Sequence, residues 1–398
     1  MDYSILVVDF AEDERCLPLF ESWQESDLPI KLKLCSGLEE AELEIESEDT
    51  VGMIISTSSY TPDLDTMLRS FQTKVGCLPD FISIICDEPS PRFLVSVFEF
   101  GVETIFSFQR AQDDMIGWVK GIASILENEE SPEANAIALS RGIKTHDAGM
   151  IAKAGEVMSE MAEYDYKAAF VAGKALEVQG DFAKAELSYR TASNMNKMFR
   201  PTTSSLGETL LINGKTDEAI AIFEKLEKSN PRDMMRKSNL IAAYVESGDL
   251  EKANAALAQA ESQSADHPKV KEAKAHILLS QGKVSDAFGL MDELKDAGPL
   301  FASKLNDLGI RLSKGGKAKS ALALYNKSHK IVRQDLKYKV TLNAALACRR
   351  AGAYEKALKY LMRCEKEYGS MFPKLKRIVD ATKQAVDKKK KLASKQAS

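Results

Sequence analysis

Six glycines set the frame of this chain. Gly180, Gly214, Gly248, Gly282 and Gly316 stand 34 residues apart, and Gly352 follows after 36. A fixed period of this length is the signature of a stacked-repeat architecture, in which one supersecondary unit recurs and buries its apolar face against its neighbours. Five residues after each glycine comes an alanine: Ala185, Ala219, Ala253, Ala287, Ala321 and Ala357. Four further on comes a large apolar residue: Tyr189, Phe223, Leu257, Met291, Tyr325 and Leu361.

The spacing predicts a helical hairpin per repeat. The glycine ends the first helix, where a left-handed cap is needed. The alanine marks the close approach of two helices, and the large residue fills the space between hairpins. Seven and eight residues before each glycine lie further small or apolar pairs: Ala172-Gly173, Leu206-Gly207, Leu240-Ile241, Lys274-Ala275, Leu308-Gly309 and Ala344-Ala345. Lys274 makes the fourth repeat the weakest. Pro231 and Pro299 are expected to stop helices at the ends of their repeats.

This pattern resembles the tetratricopeptide repeat family over residues 166–371, most fully in Leu206-Gly207, Leu210, Gly214, Ala219, Phe223 and Pro231. The resemblance implies an all-α solenoid whose first helices line a concave groove for a peptide, a helix or another domain. The groove-facing positions would be Lys167, Phe170, Lys174, Ser204, Glu208, Ser238, Ala242, Glu272, His276, Asn306, Ile310, Leu342 and Leu346. The Lys-and-Asn pattern by which some relatives clamp a C-terminal carboxylate is not apparent.

After the repeats, residues 372–398 carry Leu375, Ile378, Val379 and Val386 at near-helical spacing, which fits a terminal capping helix. The run Lys388 to Lys391 is expected to fray as a basic tail. Before the repeats, residues 129–165 read as a linker, in which Pro132 breaks the preceding helix, and a helix capped by Asp147 that runs to about Met161. Ile151, Ala154, Val157, Met158 and Met161 form its apolar stripe, suited to capping the first repeat or, alternatively, to dimerisation.

Residues 1–128 have a different rhythm. Apolar, strand-like runs at Ser4 to Val8, Ile30 to Leu34, Gly52 to Ser56, Phe81 to Ile85 and Thr104 to Phe108 alternate with helical patterns at about 13–25, 37–47, 63–73, 91–100 and 112–127. Such alternation predicts a parallel sheet with helices on both faces. The layout, with ILVVD at 5–9, MIIS followed by Pro62, FISIIC and EFGVETIFSF, resembles the CheY-like receiver domain of bacterial two-component signalling. The expected fold class is therefore an α/β, flavodoxin-like domain with a five-stranded parallel sheet, followed by the solenoid.

The resemblance fails at the chemistry. A working receiver needs carboxylates for Mg²⁺ after the first strand, an acceptor aspartate after the third, and a lysine after the fifth. Here Asp9 matches the first acidic position and Phe10 stands at the second; Ser58 falls at the acceptor position, Cys86 at the switch position and Phe108 at the lysine position. A serine hydroxyl without an adjacent base is a poor nucleophile, and no histidine precedes His146. Aspartyl phosphorylation is excluded on this alignment, and Asp9 reads as a relic or a cap. Phe10 and Phe108 would turn an ion site into a small hydrophobic one. Phe93, Val97, Phe106 and Trp118 fall on the surface that receivers use for partners or self-association, with Val97 and Phe106 read as core.

Charge divides the chain too. Residues 1–130 hold 8 Lys and Arg against 27 Asp and Glu, within an overall net charge of -5, so the remainder is basic. The two halves could attract one another or steer different partners. The six cysteines form no C-x-x-C pair and the four histidines have no metal-ligand spacing, so reduced, buried thiols and no metal or cofactor are expected. No apolar run is long enough to span a membrane and no signal peptide is legible, which points to the cytoplasm. Neither a phosphate-binding loop nor a catalytic constellation is present. The expected function is a non-catalytic signalling adaptor that binds a protein or peptide. The alternative is a regulator that meets nucleic acid through the basic half, against which stands the absence of a reader motif.

Overall fold

A computed structural model describes residues 3–9, 15–45, 50–58, 61, 64, 67–68, 81–91, 93–94, 97, 102, 104–368 and 375–397, apart from 198, 230, 232, 295–296 and 334–335. The predicted helices at 63–73 and 91–100, and Phe10, lie largely or wholly outside them. The chain divides into two compact units. One holds residues 1–145, 149–175 and 187–202; the other holds 146–148, 176–186 and 203–398.

The first unit is built on five parallel strands: β1 (Ser4–Asp9), β2 (Lys31–Cys35), β3 (Thr50–Ser56), β4 (Ile82–Ile85) and β5 (Thr104–Phe106). Their order is β2-β1-β3-β4-β5, a doubly wound arrangement with its switch point between β1 and β3. β1, β3 and β4 are almost wholly buried, as expected of central strands covered on both faces. Helices α1 (Cys16–Gln24) and α2 (Leu38–Ile45) fall within the predicted patterns, whereas α3 (Phe108–Glu127) starts four residues earlier than predicted, so Phe108 opens a helix instead of ending the fifth strand. Trp23 from α1 and Met115, Val119 and Ile122 from α3 pack into the same core as the strands.

The segment read as a linker is instead a helix, α4 (Pro132–Thr145). Ser131 accepts from Ala134 N–H at its start, and Ile137 joins the core of the sheet. Pro132 thus opens a helix as well as closing one, since its missing N–H falls where no partner is available. Helix α5 (Ala148–Met161) follows as predicted, with Ile151, Ala154 and Met158 buried.

Six helix pairs then succeed one another: α6 (Tyr166–Gln179) with α7 (Phe182–Met195), α8 (Arg200–Ile212) with α9 (Thr216–Ser229), α10 (Met234–Ser247) with α11 (Leu250–Ser264), α12 (Pro268–Ser280) with α13 (Val284–Met291), α14 (Pro299–Lys314) with α15 (Ala318–Ile331), and α16 (Lys337–Arg350) with α17 (Tyr354–Tyr368). Each of the six framing glycines has φ between +67° and +85°. At each, the glycine N–H donates three residues back and the next N–H five residues back, as from Gly214 to Leu211 and Lys215 to Leu210. These are paired C-cap bonds that require a left-handed residue. The six alanines are fully buried, and the large residues four positions on are no more than 8% exposed.

Two details depart from the sequence reading. Pro299 opens α14 instead of ending a helix, because α13 is only eight residues long and the chain turns early. The turn after it pairs Ala297 with Val332. The terminal helix α18 (Leu375–Ala397) continues through the lysine run, with Leu375, Val379 and Val386 buried and Lys389 donating to the Gly352 carbonyl. All five described cysteines are buried, and none of them is in a disulfide.

Candidate functional site

Two regions carry the residues singled out by sequence. The first is the carboxyl edge of the sheet. Strand register puts Asp9 beside Ser56, Ser56 beside Ile85, and Ile85 beside Phe106. Asp9 is half-buried and Ser58 is exposed just past β3. Cys86 is buried, its N–H donates to the Phe106 carbonyl, and burial raises its thiol pKa. Phe108 opens α3 and is 8% exposed.

Phe10, the other half of the expected hydrophobic site, lies outside the described residues, and Phe108 is met by charged groups. The Arg15 guanidinium lies 4.0 Å over the Phe108 ring. Arg15 Nη1 pairs with Asp87 Oδ2 at 2.7 Å, and Asp87 Oδ1 accepts the Phe108 N–H at 2.8 Å. Sequence reasoning missed Arg15 and Asp87. Asp87 follows Cys86 directly, so a carboxylate one residue past the switch position was the available signal. Here it caps the first turn of α3 and holds an arginine against the ring, which combines helix-end and cation–π stabilisation. Phe93 and Val97 are buried in the core, and Phe106 and Trp118 are half-buried against it. Among the described residues, no group of three or more His, Cys, Asp or Glu could hold a metal.

The second region is the inner face of the array, lined by the first helix of each pair. In the first unit, Lys167 pairs with Glu133 at 2.9 Å, and Lys174 lies 5.9 Å from the Tyr189 ring centre. Phe170 meets Phe199 edge-on at 5.4 Å and Tyr189 at 5.9 Å, so it is a core residue rather than a groove residue.

In the second unit the inner-face residues are tied into a ladder. Asn239 Nδ2 donates to Glu208 at 2.9 Å. Glu272 accepts from Lys269 at 2.7 Å and from the Gly298 N–H at 3.1 Å. Glu246 Oε1 meets His276 Nε2 at 3.2 Å and Lys304 Nζ at 2.7 Å. Asn343 donates to Asn306. The hydrogen bond from His276, with help from Lys304, pulls the Glu246 carboxyl down to about 2. Sequence reasoning missed Glu246 and Lys304, which lie beside the chosen register positions.

The open groove expected from the repeats needs correction at its centre. Residues 236–245 of α10 are buried on every face, Ser238 and Ala242 among them, as are Glu272 and His276 in α12. The end of α6 also touches the start of α16. Tyr338 Oη donates to the Val178 carbonyl at 3.0 Å, Arg333 lies 3.8 Å from Glu177, and Lys339 sits 5.0 Å over the Phe182 ring. These contacts span about 160 residues of sequence. What stays half-exposed of the expected set in this unit is Ser204, Glu208, Asn306, Ile310, Leu342 and Leu346.

The tetratricopeptide repeat family matches residues 210–277, from the end of α8 into α12. No characterised protein sequence matches significantly. Solved structures that are similar include a tetratricopeptide repeat protein from Parabacteroides merdae (14% identity, TM-score 0.36, covering 62% of this chain and 98% of that one). TTC0263 from Thermus thermophilus has 16% identity and a TM-score of 0.32 over 55% of this chain and 98% of that one. MamA AMB-1 has 19% identity and a TM-score of 0.30 over 40% of this chain and 95% of that one.

Proposed function

We propose that this chain is a non-catalytic cytoplasmic adaptor: a receiver-like domain without phosphotransfer chemistry, joined to a tetratricopeptide array that holds a partner protein. The observation that carries the reading is the set of six hairpins in one register, each turning from its first helix to its second at a left-handed glycine. Stacked repeats of this kind present a long, rigid surface built for recognition and need no reactive group. The family match to residues 210–277 supports the same reading.

For the front domain, support comes from the strand order and from the occupants of the carboxyl edge. On the alignment implied by the resemblance, Ser58 and Phe108 take the acceptor and lysine positions, and Asp87 is engaged by Arg15 and a backbone N–H. Such a domain would act in one fixed state, as a platform rather than a switch.

Because the centre of the inner face is covered, the partner is expected to rest on its half-exposed end, where Ile310 and Leu346 offer apolar side chains. The test is capture of partners from nuclease-treated lysate of the source cell, with the intact chain beside an Ile310→Ser/Leu346→Ser variant of unchanged circular dichroism. A protein retained by the intact chain and lost by the variant supports the adaptor. Retention of nucleic acid alone from untreated lysate would replace it with the nucleic-acid reading.

A further inference from the structure

The junction between the fifth and sixth repeats contains a cavity of about 360 Å³. That is within the range of small-molecule sites. Val340, Ala344 and the rings of Tyr325 and Tyr360 give it apolar walls. His329, Lys330, Arg363, Asn326 and Thr341 supply its polar part, and none of the nine lining residues is acidic.

The other junctions show why this matters. Eleven and eight residues before the fourth glycine stand Lys271 and Lys274, and they bridge to Glu293 at 2.6 Å and Glu261 at 2.8 Å. Lys237 bridges to Glu227 at 2.9 Å one junction earlier. Lys327 bridges to Asp292 at 2.9 Å one junction later. Counted from their own glycines, the positions of Glu261 and Glu293 are occupied at the last junction by His329 and Arg363, and those of Lys271 and Lys274 by Thr341 and Ala344. The position of the acid Glu261 is thus held here by His329 and those of the lysines by small side chains, while Arg363 Nε pairs with Glu367, one turn further along α17 and outside the cavity lining, at 2.8 Å. His329 Nε2 is buried with no hydrogen-bond partner, while Tyr360 Oη donates to Asn326 at 2.7 Å. Burial holds the His329 pKa below its ordinary value, followed by the charges of Arg363 and Lys337, with Glu367 opposing. This junction also coincides with the one place where the repeat period lengthens to 36.

We infer that this cavity binds a small organic anion, with an apolar body against the tyrosines and an oxyanion head toward Lys330 and Arg363.

The test is calorimetric titration of the full chain with phenyl phosphate, benzoate and neutral benzyl alcohol. At least one of the anions is expected to bind at a single site, and at least about tenfold more tightly than benzyl alcohol, a difference of about 1.4 kcal/mol. Phenyl phosphate and benzoate separate a phosphate head from a carboxylate. The informative variant is Thr341→Lys/Arg363→Glu, which installs the pair seen as Lys271–Glu293. It is expected to fold, by circular dichroism and thermal unfolding, and to lose anion binding at least about tenfold. A Lys225→Glu variant, altered on the exposed face of α9, should bind as the parent does. Failure of both anions to bind at millimolar concentration, equal binding of benzyl alcohol, or undiminished binding by the folded double variant would overturn the inference.

Discussion

A methyl group placed at Gly207 would lie 2.7 Å from Phe223 Cζ, so the missing side chain of one helix is the space occupied by the ring of the next. The same relation joins Gly173 to Tyr189 and Gly309 to Tyr325. In the other three repeats the first position is Ile241, Ala275 or Ala345, and the second is the non-aromatic Leu257, Met291 or Leu361. Size at one position is compensated at the other within a single chain. Gly207→Ala should therefore destabilise the array by about 1–3 kcal/mol through overpacking. Adding Phe223→Leu should recover part of that loss. A double-mutant cycle by urea unfolding measures the coupling; additive effects would disprove compensation.

Acid should loosen the inner face. The folded-state pKa of Glu246 is about 2 against an ordinary 4.5, so its contribution is present above pH 4.5 and is lost as pH falls toward 2. A Glu246→Gln variant should be less stable than the parent at neutral pH, with the gap closing between about pH 4.5 and 2. Because the carboxyl is part-exposed, solvent screening keeps the difference small. Thermal unfolding of both proteins across that window checks it; a gap that persists at pH 2 contradicts the assignment.

No stable phosphoryl adduct should form on the front domain. Incubation with acetyl phosphate and Mg²⁺ followed by intact-mass measurement should show no added phosphate. Asp87→Ala should lower stability by about 0.5–1.5 kcal/mol, the worth of the acceptor lost by the Phe108 N–H. A stable phosphoprotein, or an Asp87→Ala variant as stable as the parent, would show that this edge is built differently.

Tyr338→Phe removes one hydrogen bond, to the Val178 carbonyl, and keeps the ring. The expected cost is about 1 kcal/mol. Amide exchange should quicken both at the end of α6 and at the start of α16, although only one of them is mutated. Quickening confined to α16 would show that the two segments do not support one another.

Much of this was legible in the sequence, for identifiable reasons. The glycine period reports a local backbone need, and local needs leave periodic marks. The five strands were likewise written in apolar runs bounded by turns. Helix α4 was hidden because Pro132 and the polar residues 127–131 before it read as a break, and its burial depends on Ile137 reaching the sheet core. The covering of Ser238, Ala242 and His276 was hidden for a different reason. Register assigns a face, whereas burial of that face depends on contacts such as Lys304 with Glu246, 58 residues apart. Arg15 and Asp87 lie 72 residues apart, and neither belongs to a motif.

The bond from Tyr338 to Val178 also bears on how the array comes apart. Repeats that touch only their immediate neighbours unravel from either end, one at a time. A strut from α16 back to the last turn of α6 joins two segments of one unit that are far apart in sequence, so fraying at one must first release the other. Pulled from its two ends, such an array should resist and then yield in one large step instead of a sawtooth, and trimming α16 and α17 should unsettle α6 as much as it unsettles α15.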